Sequence, residues 1–213
     1  MIPVFITGIG TDVGKTLVSA IVTKALGARY WKPIQAGSLD ATDSDLVKKL
    51  TGSTICAESY RLDQPASPHI SAREQGATID LEVISSDFSN MLDTADEYLV
   101  IEGAGGLLVP LNESETVADL IKKLHAVVII VSRNYLGSIN HSLLTASYCR
   151  QENIPVAGWI FTDEYMGYED EISHRSGYPI IGKIPFLPEI TENTIAFQAD
   201  RIRRALLEAL NPK

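Results

Sequence analysis

Only two of the 213 residues are cysteine, Cys56 and Cys149, and neither belongs to a CxxC pair. That count excludes a disulfide framework and a thiolate zinc site. Two lone thiols read as buried or incidental groups in a reducing compartment, so a cytoplasmic location is expected. The four histidines show no metal-site spacing. Basic residues are scarce as well, 18 Lys plus Arg against 27 Asp plus Glu, for a net charge of −9. Such a chain opposes binding to phosphate backbones, so nucleic acid is not an expected partner. The longest strongly apolar run, Ala126 to Val131, is far short of the ~20 residues that span a bilayer. The opening MIPVFIT has no basic region and too short an apolar run for a signal peptide. Internal repeats and low-complexity tracts are missing too.

The remaining composition is ordinary for a globular chain, 45% hydrophobic and 21% charged. A chain of this length folds as one large domain or two small ones. As one domain it should bury roughly 70% of its unfolded surface, with no need of a staple.

Short apolar, β-branched runs occur at Ile2 to Thr7, Arg29 to Pro33, Glu97 to Glu102, Ala126 to Ser132, Val156 to Thr162 and Pro179 to Ile184. Continuous rather than alternating apolar strands imply a sheet buried on both faces, hence mostly parallel. Helical patterns fit between them, at Gly14 to Leu26, Ser44 to Leu50, Leu81 to Leu92, Thr116 to Leu124, Ser138 to Arg150 and Ile195 to Leu210. Apolar faces are expected at Leu46, Val47 and Leu50; at Val83, Ile84, Phe88, Met91 and Leu92; and at Phe197, Ile202, Leu206, Leu207 and Leu210. The segment from Gly52 to Thr78, with Pro65, Pro68 and Gly76, reads as loops with one strand around Ser59 to Leu62. Strand–helix alternation predicts an α/β, doubly wound, mostly parallel sheet flanked by helices.

The strongest chemical signal is GIGTDVGKT, Gly8 to Thr16, between an apolar strand and a helix. Glycines let backbone N–H groups turn inward as an anion nest, and the helix start adds positive partial charge. Lys15 brings a mobile cation to the β- and γ-phosphates, and the Thr16 hydroxyl is placed for Mg²⁺. The first glycine is one position early for the usual spacing, with Ile9 where glycine is expected. Glu102 ends an apolar strand and precedes Gly103, Ala104, Gly105 and Gly106, where an acid would help position Mg²⁺. Lys32, before Pro33 at the end of the second strand, is a second candidate cation for transferred phosphoryl oxygens. Asp40, Asp43 and Asp45 follow, and any one of them could complete a shell of oxygen ligands.

Together these segments resemble the dethiobiotin synthetase family. The resemblance rests on the phosphate loop with WKPIQAG (Trp31 to Gly37), DSDL (Asp43 to Leu46), ASPHISA (Ala66 to Ala72), VIEGAGGLLVPL (Val100 to Leu111), LGSINHSLLTA (Leu136 to Ala146), AGWIFTD (Ala157 to Asp163) and GKIPFL (Gly182 to Leu187). It covers most of the chain and implies a single P-loop synthetase domain over 1–213. The implied reaction is ATP- and Mg²⁺-dependent closure of a cyclic urea from 7,8-diaminononanoate and CO₂ or bicarbonate, through a carbamic-phosphoric anhydride. By motif, Lys32 and Lys15 would be catalytic, and Thr16, Asp45 and Glu102 would hold Mg²⁺. ATP would contact Thr11, Asp12, Val13, Gly14, Lys15, Thr16 and Leu17, then Asp45, Glu102, Gly103, Ala104 and Gly105. Thr162, Asp163, Pro185, Phe186 and Leu187 match the segments around the adenine. The substrate would meet Ala36 and Gly37, with its carboxylate at Gly137, Ser138, Ile139 and Asn140 of a second subunit, making the active unit a homodimer.

Two positions depart from the family pattern. Ala36 stands where a Ser or Thr is usual, leaving Ser38 or the Gly37 backbone to substitute. Thr162 stands where an adenine-reading Asn is common. His69 and His141, inside matching motifs, read as local hydrogen-bonders. A P-loop switch or partitioning ATPase is the alternative, but such proteins carry an extra lysine early in the loop, where this chain has Gly10. A GTPase would want an Asn/Thr-Lys-x-Asp base reader, which the sequence lacks. A glutamine-dependent amidotransferase would want a glutaminase domain, for which 213 residues leave no room.

Overall fold

In the computed structural model, which describes residues 1–92 and 95–211, strands and helices alternate along the chain. They are β1 (Ile2–Gly8), α1 (Lys15–Leu26), β2 (Arg29–Trp31), β3 (Ile34–Ala36), α2 (Asp43–Thr51), β4 (Ile55–Cys56), β5 (Tyr60–Leu62), α3 (Pro68–Glu74), α4 (Leu81–Met91), β6 (Tyr98–Gly106), α5 (Val117–Lys123), β7 (Val127–Arg133), α6 (Ser138–Gln151), β8 (Val156–Thr162), α7 (Tyr168–Ser176), β9 (Ile180–Ile184) and α8 (Glu192–Leu210). The main sheet is parallel and runs β4-β2-β6-β1-β7-β8-β9; β3 and β5 pair separately.

The apolar runs are continuous because alternate residues face two different cores. Val4, Ile6, Tyr30, Val100, Ile129 and Val131 face α1, α2 and α8. Phe5, Trp31, Leu99, Ile101, Val128 and Ile130 face α4, α5, α6 and α7. The fold is therefore the expected doubly wound one. β1 lies between β6 and β7, so the chain leaves the sheet on both sides of β1, and the crevice at the strand ends is where such folds bind ligands.

Several local expectations are corrected. β6 does not stop at Glu102 but runs through the glycines to Gly106, with Gly106 paired to Gly8. Gly52 to Thr78 holds β4 and α3 as well as the expected strand. α3 starts with Pro68 in its first turn, a position that tolerates proline, so that residue opens a helix instead of breaking one. α7 was not expected, because its nine residues YEDEISHRS bury only Glu169, Ile172 and Ser176. Leu46, Val83, Leu92 and Phe197 are exposed, so the buried faces are narrower than the apolar spacing implies. On α4 the buried residues are Leu81, Ile84 and Phe88. Among the described residues no helix is long and apolar enough to cross a membrane. Cys56 and Cys149 are both buried free thiols.

Candidate active site

Sheet register assembles the site. β2 pairs with β6 so that Trp31 lies beside Ile101, which brings the next residues, Lys32 and Glu102, out together. β1 pairs with β6 so that Ile6 lies beside Glu102, two residues before the phosphate loop begins at Gly8. The loop then turns into α1 through Gly14, whose φ of +88° is open to glycine, and whose missing Cβ would approach Thr162 Cγ2 to 3.1 Å. Thr162, at the end of β8, donates its hydroxyl to the Val13 carbonyl at 2.9 Å and so fixes the loop from the other side.

Glu102, 1% exposed, is the hub. Its Oε1 accepts from Lys32 Nζ at 3.0 Å, and its Oε2 accepts from the Tyr30 hydroxyl at 2.9 Å. Lys32 also pairs with Asp43. Thr16 Oγ1 lies 2.9 Å from both Asp43 Oδ1 and Glu102 Oε1. A hydroxyl carries one proton and can donate to only one of them at a time. Three hard oxygens thus converge with only the one hydroxyl proton of their own, beside the Lys32 ammonium, an arrangement suited to a small oxygen-seeking cation. Among the described residues no group of three or more His, Cys, Asp or Glu forms a protein metal cage.

The two lysines are tuned in opposite directions. Burial would pull the Lys32 ammonium down, but Glu102 and Asp43 outweigh it and hold it above its ordinary value. Burial dominates at Lys15 and pulls it below its ordinary value, with Lys32 adding to the effect and Glu102 opposing it. Lys15 Nζ rests on the Gly10 carbonyl at 2.9 Å. A bound phosphate offers a stronger, charge-assisted acceptor than that single carbonyl. Burial, then the neighbouring Glu102, push the Tyr30 hydroxyl well above its ordinary value and keep it a proton donor.

A cleft of about 750 Å³ opens over this cluster. Thr11, Asp12, Gly14, Lys15, Thr16 and Leu17 line one side, and Lys32, Asp43 and Glu102 its floor. Gly103, Ala104, Gly105, Ala36 and Ser67 line the rest with their neighbours. Most of the expected phosphate-site residues therefore meet in one place.

Others do not. Asp45, two residues from Asp43, is exposed and turned away. Its carboxylate accepts from the Thr42 backbone N–H at 3.0 Å and the Thr42 hydroxyl at 2.8 Å, which closes a capping box on α2 and holds its carboxyl below the usual range. Asp43 occupies the place expected of Asp45. Val13 is buried, not a wall of the cleft. Gly37 is also outside it. Its N–H is taken by the Leu62 carbonyl and its carbonyl by Gln35 Nε2, so its backbone does not substitute for the hydroxyl missing at Ala36. Ser38 is exposed and away from the wall. Ser67, whose hydroxyl lies 3.1 Å from His69 Nδ1, also lines the cleft. Thr162 is buried and its hydroxyl proton is committed to the loop, so the group can accept from a base edge but not donate to one. Asp163 pairs with Arg133 at 2.7 Å, and Phe186 between Pro185 and Leu187 is 74% exposed. These residues and Gly137, Ser138, Ile139 and Asn140 lie outside the cleft of their own chain.

Asp43 is one of the three acids the sequence offers, with the family resemblance favouring Asp45 over it, and Tyr30 is offered by no motif. The spacing Thr42-x-x-Asp45 is a readable capping box and already commits Asp45 elsewhere. Tyr30 has no such signal, since a tyrosine in an apolar strand reads as core.

The chain is similar to several known proteins. A family model described as an AAA domain matches residues 3–194. The ATP-dependent dethiobiotin synthetase BioD of Christiangramia forsetii is 44% identical over 96% of this chain and 97% of its own length. The protein of that name from Cytophaga hutchinsonii is 46% identical over 93% of this chain and 95% of its own. In fold the chain is similar to MinD in the MinC:MinD cell division complex of Aquifex aeolicus (TM-score 0.58, 14% identity, 99% of this chain and 94% of that one). It is equally similar to a ParA family ATPase from Chlorobium tepidum (TM-score 0.58, 16% identity, 99% and 98%). At such low identity these two show a shared P-loop fold and nothing more. The relatives at 44% and 46% identity match this chain nearly end to end, and the chain belongs to the ATP-dependent dethiobiotin synthetase family.

Proposed function

We propose that the chain closes the ureido ring of dethiobiotin from 7,8-diaminononanoate and CO₂, with ATP converted to ADP and phosphate. The observation that carries this reading is the convergence of Lys15, Lys32, Asp43 and Glu102 at the mouth of a phosphate loop, in a cleft with room for a second anion. An amine adds to CO₂ and loses a proton to give a carbamate. A carbamate oxygen then attacks the γ-phosphorus and ADP leaves. The second amine attacks the carbamoyl carbon, phosphate leaves, and a further proton is lost.

Joining two anions is the costly step, so the residues act mainly by charge and position. Lys15 reaches the β- and γ-oxygens, and Lys32 sits where carbamate and γ-phosphate meet. The two lysines and two carboxylates sum to zero charge, so the triphosphate needs a further cation. Thr16, Asp43 and Glu102 are the residues that would hold Mg²⁺, which supplies Lewis-acid neutralisation of the phosphoryl oxygens. Backbone N–H groups from Asp12 to Leu17 cradle phosphate at the start of α1. The base lies toward Thr162, Asp163 and Pro185 to Leu187. With the Thr162 hydroxyl engaged, base discrimination there is weak, and kcat/KM for CTP and GTP should fall within ~10-fold of that for ATP, measured by phosphate release. An ATP preference beyond ~200-fold, the range of a site with dedicated hydrogen-bonding readers, would contradict it.

The assignment of Asp43 over Asp45 predicts a clear split. Asp43→Asn should raise the Mg²⁺ concentration for half-maximal activity ~10- to 100-fold, as loss of a ligand or its direct support does. Asp45→Asn should leave that value within ~2-fold, with a slightly lower melting temperature as the carboxylate of the capping box loses its charge. The reverse pattern would return the role to Asp45.

The active unit is read as a homodimer in the cytoplasm, with one synthetase domain per chain. Supporting the dimer, the α6 start at Gly137 to Asn140 lies away from its own cleft, and Leu136 and Leu144 are 78% and 61% exposed beside it. Supporting the compartment, both thiols are unpaired and buried. The reaction itself is tested with ¹³C-bicarbonate, ATP, Mg²⁺ and the diamine. The label should appear in a cyclic urea by mass and ¹³C spectrum, and its absence with ATP still hydrolysed would refute the reading.

A further inference from the structure

The geometry points to Tyr30 as a positioning residue that fixes how the Glu102 carboxylate is turned toward the phosphate site. The inference rests on the reading of Glu102 as an acid of the Mg²⁺–nucleotide site and names the group that aims it. Tyr30 pairs with Val100 across β2 and β6, so its side chain leaves the sheet on the same face as Glu102, two residues further on. The ring has no exposed surface and packs in the core that β2 and β6 share with α1 and α2. A ring held so closely gives its hydroxyl a fixed position.

That hydroxyl donates to Glu102 Oε2 at 2.9 Å, while Oε1 faces Thr16 and Lys32. The last torsion of a glutamate is broad and roughly two-fold, so nothing in the side chain itself selects one orientation. A hydrogen bond to a carboxylate is roughly twice as strong as a neutral one, and a buried hydroxyl needs its partner. Tyr30 therefore ties down one oxygen and leaves the other aimed at the phosphate loop. A phenylalanine would fill the core equally well, so the hydroxyl, not the ring, carries this role.

The test is Tyr30→Phe, which keeps the ring and removes one oxygen. ADP binding is followed by calorimetry at a series of Mg²⁺ concentrations and in excess EDTA. Turnover is measured alongside over the same Mg²⁺ series. The expected result is a ~10-fold higher Mg²⁺ concentration for half-maximal enhancement of ADP binding, in line with loss of a group that orients a metal ligand. ADP affinity in EDTA should stay within ~2-fold, and a turnover deficit at low Mg²⁺ should be rescued by excess Mg²⁺. A lower melting temperature with unchanged Mg²⁺ dependence would make Tyr30 a core filler and overturn the inference. A parallel loss of ADP affinity in EDTA would mean general loosening of the loop and also overturn it. If the wild-type protein shows no Mg²⁺ dependence of ADP binding, the Glu102 reading fails and takes the inference with it.

Discussion

Lys32→Ala should lower diamine-dependent turnover at saturating ATP and Mg²⁺ by at least ~100-fold, the loss typical of a key electrostatic stabiliser. Lys32 is 6% exposed and bridges Asp43 and Glu102. At about 4 Å and an effective dielectric near 20, a unit charge acts on another by about 4 kcal/mol, so one ammonium among developing phosphoryl charges supplies enough for that factor. Removing it also strands Glu102, a buried carboxylate, and a lower melting temperature is expected too. The diagnostic is the split between steps. ATP binding should survive, because the loop and Lys15 remain, while phosphate release stimulated by diamine is lost. Turnover near the wild-type rate would remove Lys32 from the mechanism.

Lys15→Ala should lower kcat/KM for ATP at least ~100-fold, mainly through KM. Lys15 opens α1 directly after Gly14, and its ammonium donates to the Gly10 carbonyl. Its loss should raise the KM for ATP steeply and leave the KM for the diamine little changed. The fold should tolerate the change, since the Thr162–Val13 hydrogen bond and the Gly14 turn hold the loop without the side chain. Equal ATP affinity in Lys15→Ala and wild type, by calorimetry, would contradict the assignment.

The two lysines differ in how plainly the sequence announces them. Lys15 and Thr16 are fixed by local spacing, because the loop must carry them wherever the strand and helix go. Lys32 gains meaning only beside Glu102, and that neighbourhood comes from the register of β2 on β6, a pairing between residues 70 positions apart. Glu102 was legible as an acid before glycines, although β6 continues past it. The glycines serve close approach: a Cβ on Gly103 would come within 2.6 Å of Phe5 Cε1, and one on Gly106 within 3.1 Å of the Gly8 carbonyl.

The acidic loop was the least legible part. Asp43 and Asp45 are chemically alike, and only the helix start separates them. Thr42 caps α2, Asp45 completes the box, and Asp43 in the first turn is left to face Thr16. α7 was hidden for the opposite reason, because a short polar helix docked by Ile172 has almost no apolar period to detect. The net charge of −9 is compatible with an anionic ligand because the site is locally built. Two lysines, loop amides and a helix start collect on one sheet edge, while most charged residues remain on the exterior.

The most direct measurement is phosphate release from ATP with each component omitted in turn. With Mg²⁺, bicarbonate and 7,8-diaminononanoate all present, release should be rapid and match cyclic urea formed one for one. Omitting the diamine or the bicarbonate should abolish it. Steady ATP hydrolysis that continues without the diamine would contradict the account and move the chain toward a nucleotide-driven switch.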